Sequence, residues 1–324
     1  MSRSIRSTAA PEQVLGTAAS WSRRIVVATV LVGVCCAAVL PAALASAVTL
    51  AVAGVGLVVG LPHGSIDHLL ASRLTGRSPV LVTLAYAGAA AVAWLLLVAL
   101  GPVALGAVVV LSIVHFGSGE LETQRSTTGW RPAGTVAGAL AVAGTGALLL
   151  PLARSGDQLQ GVATAVSPDV AAVLAGNPLR LGIVVLWLGA AIVAVTAALR
   201  AGHRSVAVDV VLIGALGALA PPLVAFAVWF GGWHALRHGG RLLLTEPGCA
   251  ALVAADRTGD AVRRLARLAA WPSSAAVGTL VALVGFTVAA PDPTSAIAEV
   301  LRVLLALTVP HMLVVAWLDR RGIS

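Results

Sequence analysis

From residue 25 to residue 317 the chain is a series of apolar runs, separated by short segments that hold most of its arginines. A run of about 20 apolar residues is the length at which an α-helix crosses the hydrocarbon core of a bilayer. A helix also satisfies its own backbone there, which few other structures can do. The runs fall near 25–43, 46–61, 79–99, 103–118, 134–152, 180–199, 206–220, 222–238, 268–289 and 296–317. They predict an all-α, polytopic integral membrane helical bundle of about ten transmembrane helices. Composition agrees: at 59% hydrophobic, 10% charged and mean hydropathy +0.97, the 324 residues fall outside the range of ordinary globular domains.

The arginines orient the bundle, because basic residues concentrate in cytoplasmic loops. The chain has no lysine, so arginine alone carries the signal. With Arg3, Arg6, Arg23 and Arg24 on the cytoplasmic side, ten crossings put Arg73, Arg77, Arg125, Arg131, Arg200, Arg204 and the group from Arg241 to Arg267 there too. Arg320 and Arg321 join them, so both termini are expected in the cytoplasm. Arg154, Arg180 and the acidic segment 291–299 fall outside. The net charge of +8 then reflects topology and contact with anionic lipid, as in a multi-pass protein of the plasma membrane. No basic patch is interleaved with aromatics, which argues against a nucleic-acid partner. This topology depends on a helix break at Pro221 and Pro222, since merging the flanking runs would invert part of the chain.

Residues 1–20 are expected to be a disordered cytoplasmic N-terminus, 21–319 a single transmembrane catalytic domain, and 320–324 a cytoplasmic tail. Residues 22–47 combine twin arginines, an apolar core and small residues resembling a signal-peptide cleavage site; the simpler alternative is a first helix held by positive flanks. A short surface helix is expected around Pro168 to Ala175. Cys35, Cys36 and Cys249 form neither a disulfide framework nor a thiolate metal site.

Against this apolar background the histidines stand out by depth. His63 and His68 end the second run, His115 the fourth, His234 and His238 the eighth, and His311 lies in the tenth. All four runs head toward the cytoplasm, so six of the seven histidines share one layer; the seventh, His203, sits in a loop and is expected to be solvated. His234 and His238 are spaced i, i+4 and share a helical face, as do His63 and Asp67, whereas His68 is turned from His63 by about 140°. Asp67 is therefore placed to take the outer N–H of a liganding imidazole. One intramembrane histidine is as readily a packing residue as a ligand. Six at one depth on four helices read as a metal site, because intramembrane ionisable groups are costly unless used. Imidazole suits iron, copper, zinc or nickel, and a site without cysteine argues against structural zinc.

The segments "GLPHGSIDH", "HFG", "WHALRH" and "PHM", in this order over nearly the whole chain, resemble the Brp/Blh family of membrane-bound β-carotene 15,15'-dioxygenases. That family supplies retinal to rhodopsins. The resemblance implies a non-haem Fe(II) centre and, motif by motif, His63, His115, His234 and His238 as its ligands; spacing alone does not exclude His68 or His311. It further implies cleavage of the central double bond of β-carotene by O2 into two retinals, with membrane lipid around the enzyme and a rhodopsin as a user of the product. Phe116, Trp229, Phe230 and Trp233 are expected to line a polyene tunnel, the alternative for the tryptophans being an interfacial belt. Asp67, His68 and His311 are expected as hydrogen-bond partners or proton relays around the ligands, with a fifth-ligand role open for His311. Glu120 and Glu122 are expected to be solvated.

The main rival is an integral membrane metal-ion or small-solute transporter using the histidines as its binding site, but that predicts polar groups spread through the membrane depth. A b-type haem protein would use two of the histidines as axial ligands. A di-iron desaturase would carry richer histidine clusters, and a rhodopsin would need a lysine for its Schiff base.

Overall fold

A computed structural model of the chain describes residues 9–154, 176–289 and 293–320, with Thr164, Asp169 and Ala172 between them. All elements among the described residues are helical: α1 (Ala9–Val39), α2 (Ala42–Gly60), α3 (Pro62–Ser65), α4 (Asp67–Thr75), α5 (Pro79–Leu100), α6 (Pro102–Thr128), α7 (Gly134–Ala143), α8 (Gly146–Arg154), α9 (Asn177–Arg200), α10 (Arg204–Leu219), α11 (Pro222–Val228), a π-helical turn (Trp229–Ala235), α12 (Leu236–Thr245), α13 (Pro247–Ala254), α14 (Thr258–Ala289) and α15 (Pro293–Arg320). Local chemistry sets many of the ends. Proline occupies the first or second position of α3, α5, α6, α9, α11 and α13, where its missing N–H goes unused. Gly76 (φ 68°) and Gly129 (φ 71°) close α4 and α6 in the left-handed conformation.

Five helices are long and apolar enough to cross a membrane, over Ala43–Thr75, Pro79–Leu100, Pro102–Thr128, Asn177–Arg200 and Arg302–Arg320. The pair α7 and α8, bent by 58°, makes a sixth if taken as one span. The other apolar runs lie on α1, on the 16-residue α10, on α14, and on a stretch divided into α11, the π-turn and α12. The molecule is arranged for lipid: Val80, Leu84, Leu95, Leu181, Val185 and Ile192 face outward, while histidines, acids and arginines are buried.

The break at the double proline is present. α10 stops at Leu219, and the Arg154 guanidinium donates to the carbonyls of Gly217 at 2.6 Å and Ala220 at 3.3 Å, capping the helix end. The N-terminal stretch departs from expectation: from Ala9 onward it is helical, because Val14, Leu15, Ala18 and Ala19 form an apolar stripe and bury it, Val14 against Leu243, Cys249 and Val253. Of the surface helix expected around Pro168 to Ala175, Asp169 and Ala172 are described, both helical, and the rest lies outside the described residues.

Two features position the interior. Small residues let α2 approach the π-turn closely: a Cβ on Gly56 would stand 2.6 Å from the carbonyl oxygen of Ala227, and one on Gly231 would collide with that of Gly56. At one rim, Glu246 caps α13 through the Cys249 N–H at 2.7 Å and accepts hydrogen bonds from Arg73 at 2.5 Å and Arg264 at 3.0 Å, joining α4, α13 and α14. Burial alone would raise its pKa, but these donors outweigh it and hold the carboxyl at about 2.

Candidate metal centre

The close contact of α2 with the π-turn brings the "PHG" segment beside the "WHALRH" segment. α3 is a single turn, and Ile66 (φ −95°, ψ 0°) interrupts the helix before α4 begins at Asp67. His63 and Asp67 therefore do not share a helical face as their spacing suggests. The His63 Nδ1–H donates instead to the carbonyl of Gly60. The Asp67 carboxylate, fully buried, accepts the Nδ1–H of His311 from α15 at 2.5 Å. His234 ends up inside the π-turn, a rare geometry that recurs at functional sites. Its ring lies nearly parallel to that of His238, at 8° and 6.0 Å between centroids.

Five imidazoles meet here. Ring centroids are 5.2 Å apart for His63 and His234, 5.6 Å for His63 and His238, 4.9 Å for His63 and His311, 5.4 Å for His115 and His234, and 4.9 Å for His115 and His311. His68 does not join them: half-buried on the far side of the helix break, its ring meets Tyr86 at 6.2 Å. His203 is half-buried rather than solvated, stacked on Trp130 at 5.3 Å.

The donor chemistry fits a metal ion. The Nε2 atoms of His115, His234, His238 and His311 are buried without a hydrogen-bond partner, each of which would cost about 1–3 kcal/mol if left so. For His63 and His311 the tautomer follows from the partner: a carbonyl or carboxylate can only accept, so Nδ1 carries the proton and Nε2 keeps a lone pair. Ligand atoms of His63, His234 and His311 all lie within 4.8 Å of one another. An all-imidazole set suits the borderline divalent metals.

Aromatic rings wall the cluster on one side. Phe116 lies 4.7 Å from His234 and 5.1 Å from His115, Phe230 lies 5.2 Å from His63, and the buried Trp229 packs on Phe116 at 4.6 Å. Trp229 and Trp233 are each 1% exposed, so neither belongs to an interfacial belt. Trp233 also leaves the expected tunnel. Being next to His234 in sequence it points elsewhere around the helix, where its indole N–H donates to Glu120 at 2.9 Å and its ring lies 3.6 Å beneath the Arg237 guanidinium.

That contact belongs to a second buried cluster, which the sequence reading missed. Glu120, expected in solvent, is buried and accepts from Gln124 at 2.7 Å and from Arg237 at 2.9 Å. Asp209 accepts from Arg23 at 2.5 Å, Gln124 at 2.7 Å and Arg237 at 3.0 Å, and Ser22 accepts from Arg237 at 2.8 Å. The available signal was charge: Asp209 and Arg237 each stand inside an apolar run, and each needs a counter-ion there. Glu122 is closer to expectation, half-buried and paired with Arg125 at 3.5 Å. A cavity with room for about one water molecule lies between the two clusters, lined by Gly119, Glu120, Thr123, His234, Arg237 and His238 among others.

The chain matches the family model described as "Beta-carotene 15,15'-dioxygenase" over residues 53–319. It is 31% identical over 298 residues to the Halobacterium salinarum protein named "Probable beta-carotene 15,15'-dioxygenase Blh", covering 82% of each chain. No solved structure matches it significantly.

Proposed function

Because the chain belongs to the β-carotene 15,15'-dioxygenase family, we propose that it splits the central 15,15' double bond of β-carotene with O2, each carbon of the broken bond taking one oxygen atom, to give two molecules of retinal. The observation that carries this reading is the buried set of imidazoles whose Nε2 atoms have no partner in a chain of this family. His63, His115, His234 and His238 would hold Fe(II). Neutral imidazoles leave the ion its positive charge and positions at which O2 can be activated.

The chain's own groups supply the rest. Phe116, Trp229 and Phe230 form an apolar wall against the imidazoles, which orients a polyene and keeps water away from the reacting bond. An apolar groove between α1, α2 and the start of α11, lined by Ala28, Val32, Gly33, Val48, Val52 and Val224, offers a long uncharged substrate a route from lipid. Val52 stands about 16 Å along the helix axis from His63, a reach suited to one half of β-carotene with its middle bond at the centre. The topology that goes with this reading is ten crossings of the plasma membrane with both termini cytoplasmic. Retinal would leave through the same lipid, where a rhodopsin could take it up.

The test is expression in a bacterial host that accumulates β-carotene, with chromatography of the extracted pigments. Loss of β-carotene matched by two equivalents of retinal is the expected result. Intact β-carotene beside well-expressed, iron-supplied protein would overturn the substrate assignment.

A further inference from the structure

We infer that His311 is itself a metal ligand and that Asp67 is the carboxylate that holds it in place, so that the centre is built from five imidazoles. This rests on the reading of the cluster as an iron site given above. His311 reaches the cluster from α15, 244 positions along the chain from Asp67. Its ring lies within the cluster, 4.9 Å from both His63 and His115 and 6.0 Å from His238. With His63 and His234 it forms the group of three whose ligand atoms lie within 4.8 Å of one another, a group that includes neither His115 nor His238.

Its orientation is set for ligation. Asp67 accepts the Nδ1–H at 2.5 Å, which leaves the lone pair on a buried, unpartnered Nε2. A carboxylate behind an imidazole is the arrangement that fixes the ring of a metal-bound histidine and raises its basicity. Gly64 makes the room: a Cβ there would lie 2.9 Å from His311 Nδ1. A proton relay would need an onward path from Asp67, and no protein group among the described residues pairs with its other oxygen. Five imidazoles would occupy more of the ion's coordination positions than four and leave fewer open to O2. The aromatic wall of Phe116, Trp229 and Phe230 would then carry more of the positioning of the polyene.

The experiment is anaerobic titration of the purified, metal-free protein in detergent with Fe(II), and separately with Co(II), whose visible bands report coordination number. His311→Ala is expected to lower Fe(II) affinity by more than the roughly 10–100-fold typical of losing a supporting group. It should also alter the Co(II) spectrum, with added imidazole restoring it. Asp67→Asn should lower affinity by about 10–100-fold and leave the spectrum of the wild type. His311→Gln keeps a hydrogen-bond donor for Asp67 but lacks the ring nitrogen, and serves where the alanine variant does not fold. Wild-type affinity and spectrum in a folded His311 variant would overturn the inference while leaving the iron site intact. Failure of the unmodified protein to take up either ion would overturn both together.

Discussion

The imidazole cluster and the arginine–carboxylate cluster are built on the same stretches of chain, yet their hydrogen-bonding states are opposite. α6 gives His115 to one and Glu120 to the other, and the π-turn with α12 gives His234 and His238 to one and Arg237 to the other. In the charged cluster Arg23 and Arg237 face Asp209 and Glu120, and Arg237 spreads its donors over Ser22, Glu120 and Asp209. In the imidazole cluster the Nε2 atoms of His115, His234, His238 and His311 are buried without a partner. Every charged group of the arginine–carboxylate network has a partner, although the Gln124 Oε1 beside them has none, and such a network specifies how its helices pack. A set of imidazoles with unpartnered ring nitrogens is complete only with a ligand, and this difference separates scaffold from centre.

The sharpest way to break the comparison is at the centre. His234→Ala or His238→Ala is expected to abolish bound iron and retinal formation, read by metal analysis and pigment chromatography, with little change in melting temperature. Retained iron in both would dissolve the distinction. Next in size is the scaffold: Arg237→Met leaves Glu120 without its cation and should cost about 3–5 kcal/mol of stability, measured as a lowered melting temperature in detergent. Adding Glu120→Gln to it should recover part of that loss, since Arg23 and Asp209 still neutralise each other. If Arg237→Met removed iron at an unchanged melting temperature, the charged cluster would belong to the centre after all. The smallest effect is expected from His203→Ala, a histidine outside both clusters that packs on Trp130; iron content and activity should stay at the level of the unmodified protein.

Much of this was legible before any fold was known, and the failures have specific causes. His68 does lie away from the cluster, against Tyr86, although the break at Ile66 stands between it and His63. Helical spacing mispaired Asp67, because the helix breaks at Ile66 and the carboxylate turns to α15. Trp233 was grouped with its aromatic neighbours by proximity in sequence, whereas its indole N–H required an acceptor and found Glu120. Glu120 itself read as solvated because it follows the apolar run. The approach of Arg237, Gln124 and Trp233 makes its burial tolerable.

The amino-acid sequence alone determined that this chain is helical and suited to lipid, that ionisable residues stand inside its apolar runs, and which family its motifs belong to. Those properties follow from apolar run length, arginine placement and short segments, all local along the chain. Tertiary structure alone decided which imidazoles meet, that Asp67 serves His311, and that two arginines and two acids neutralise each other inside. Helical periodicity dictates which residues share a face of one helix. It carries no information about which faces of helices far apart in sequence will touch, and at Ile66 and the π-turn the periodicity itself is broken.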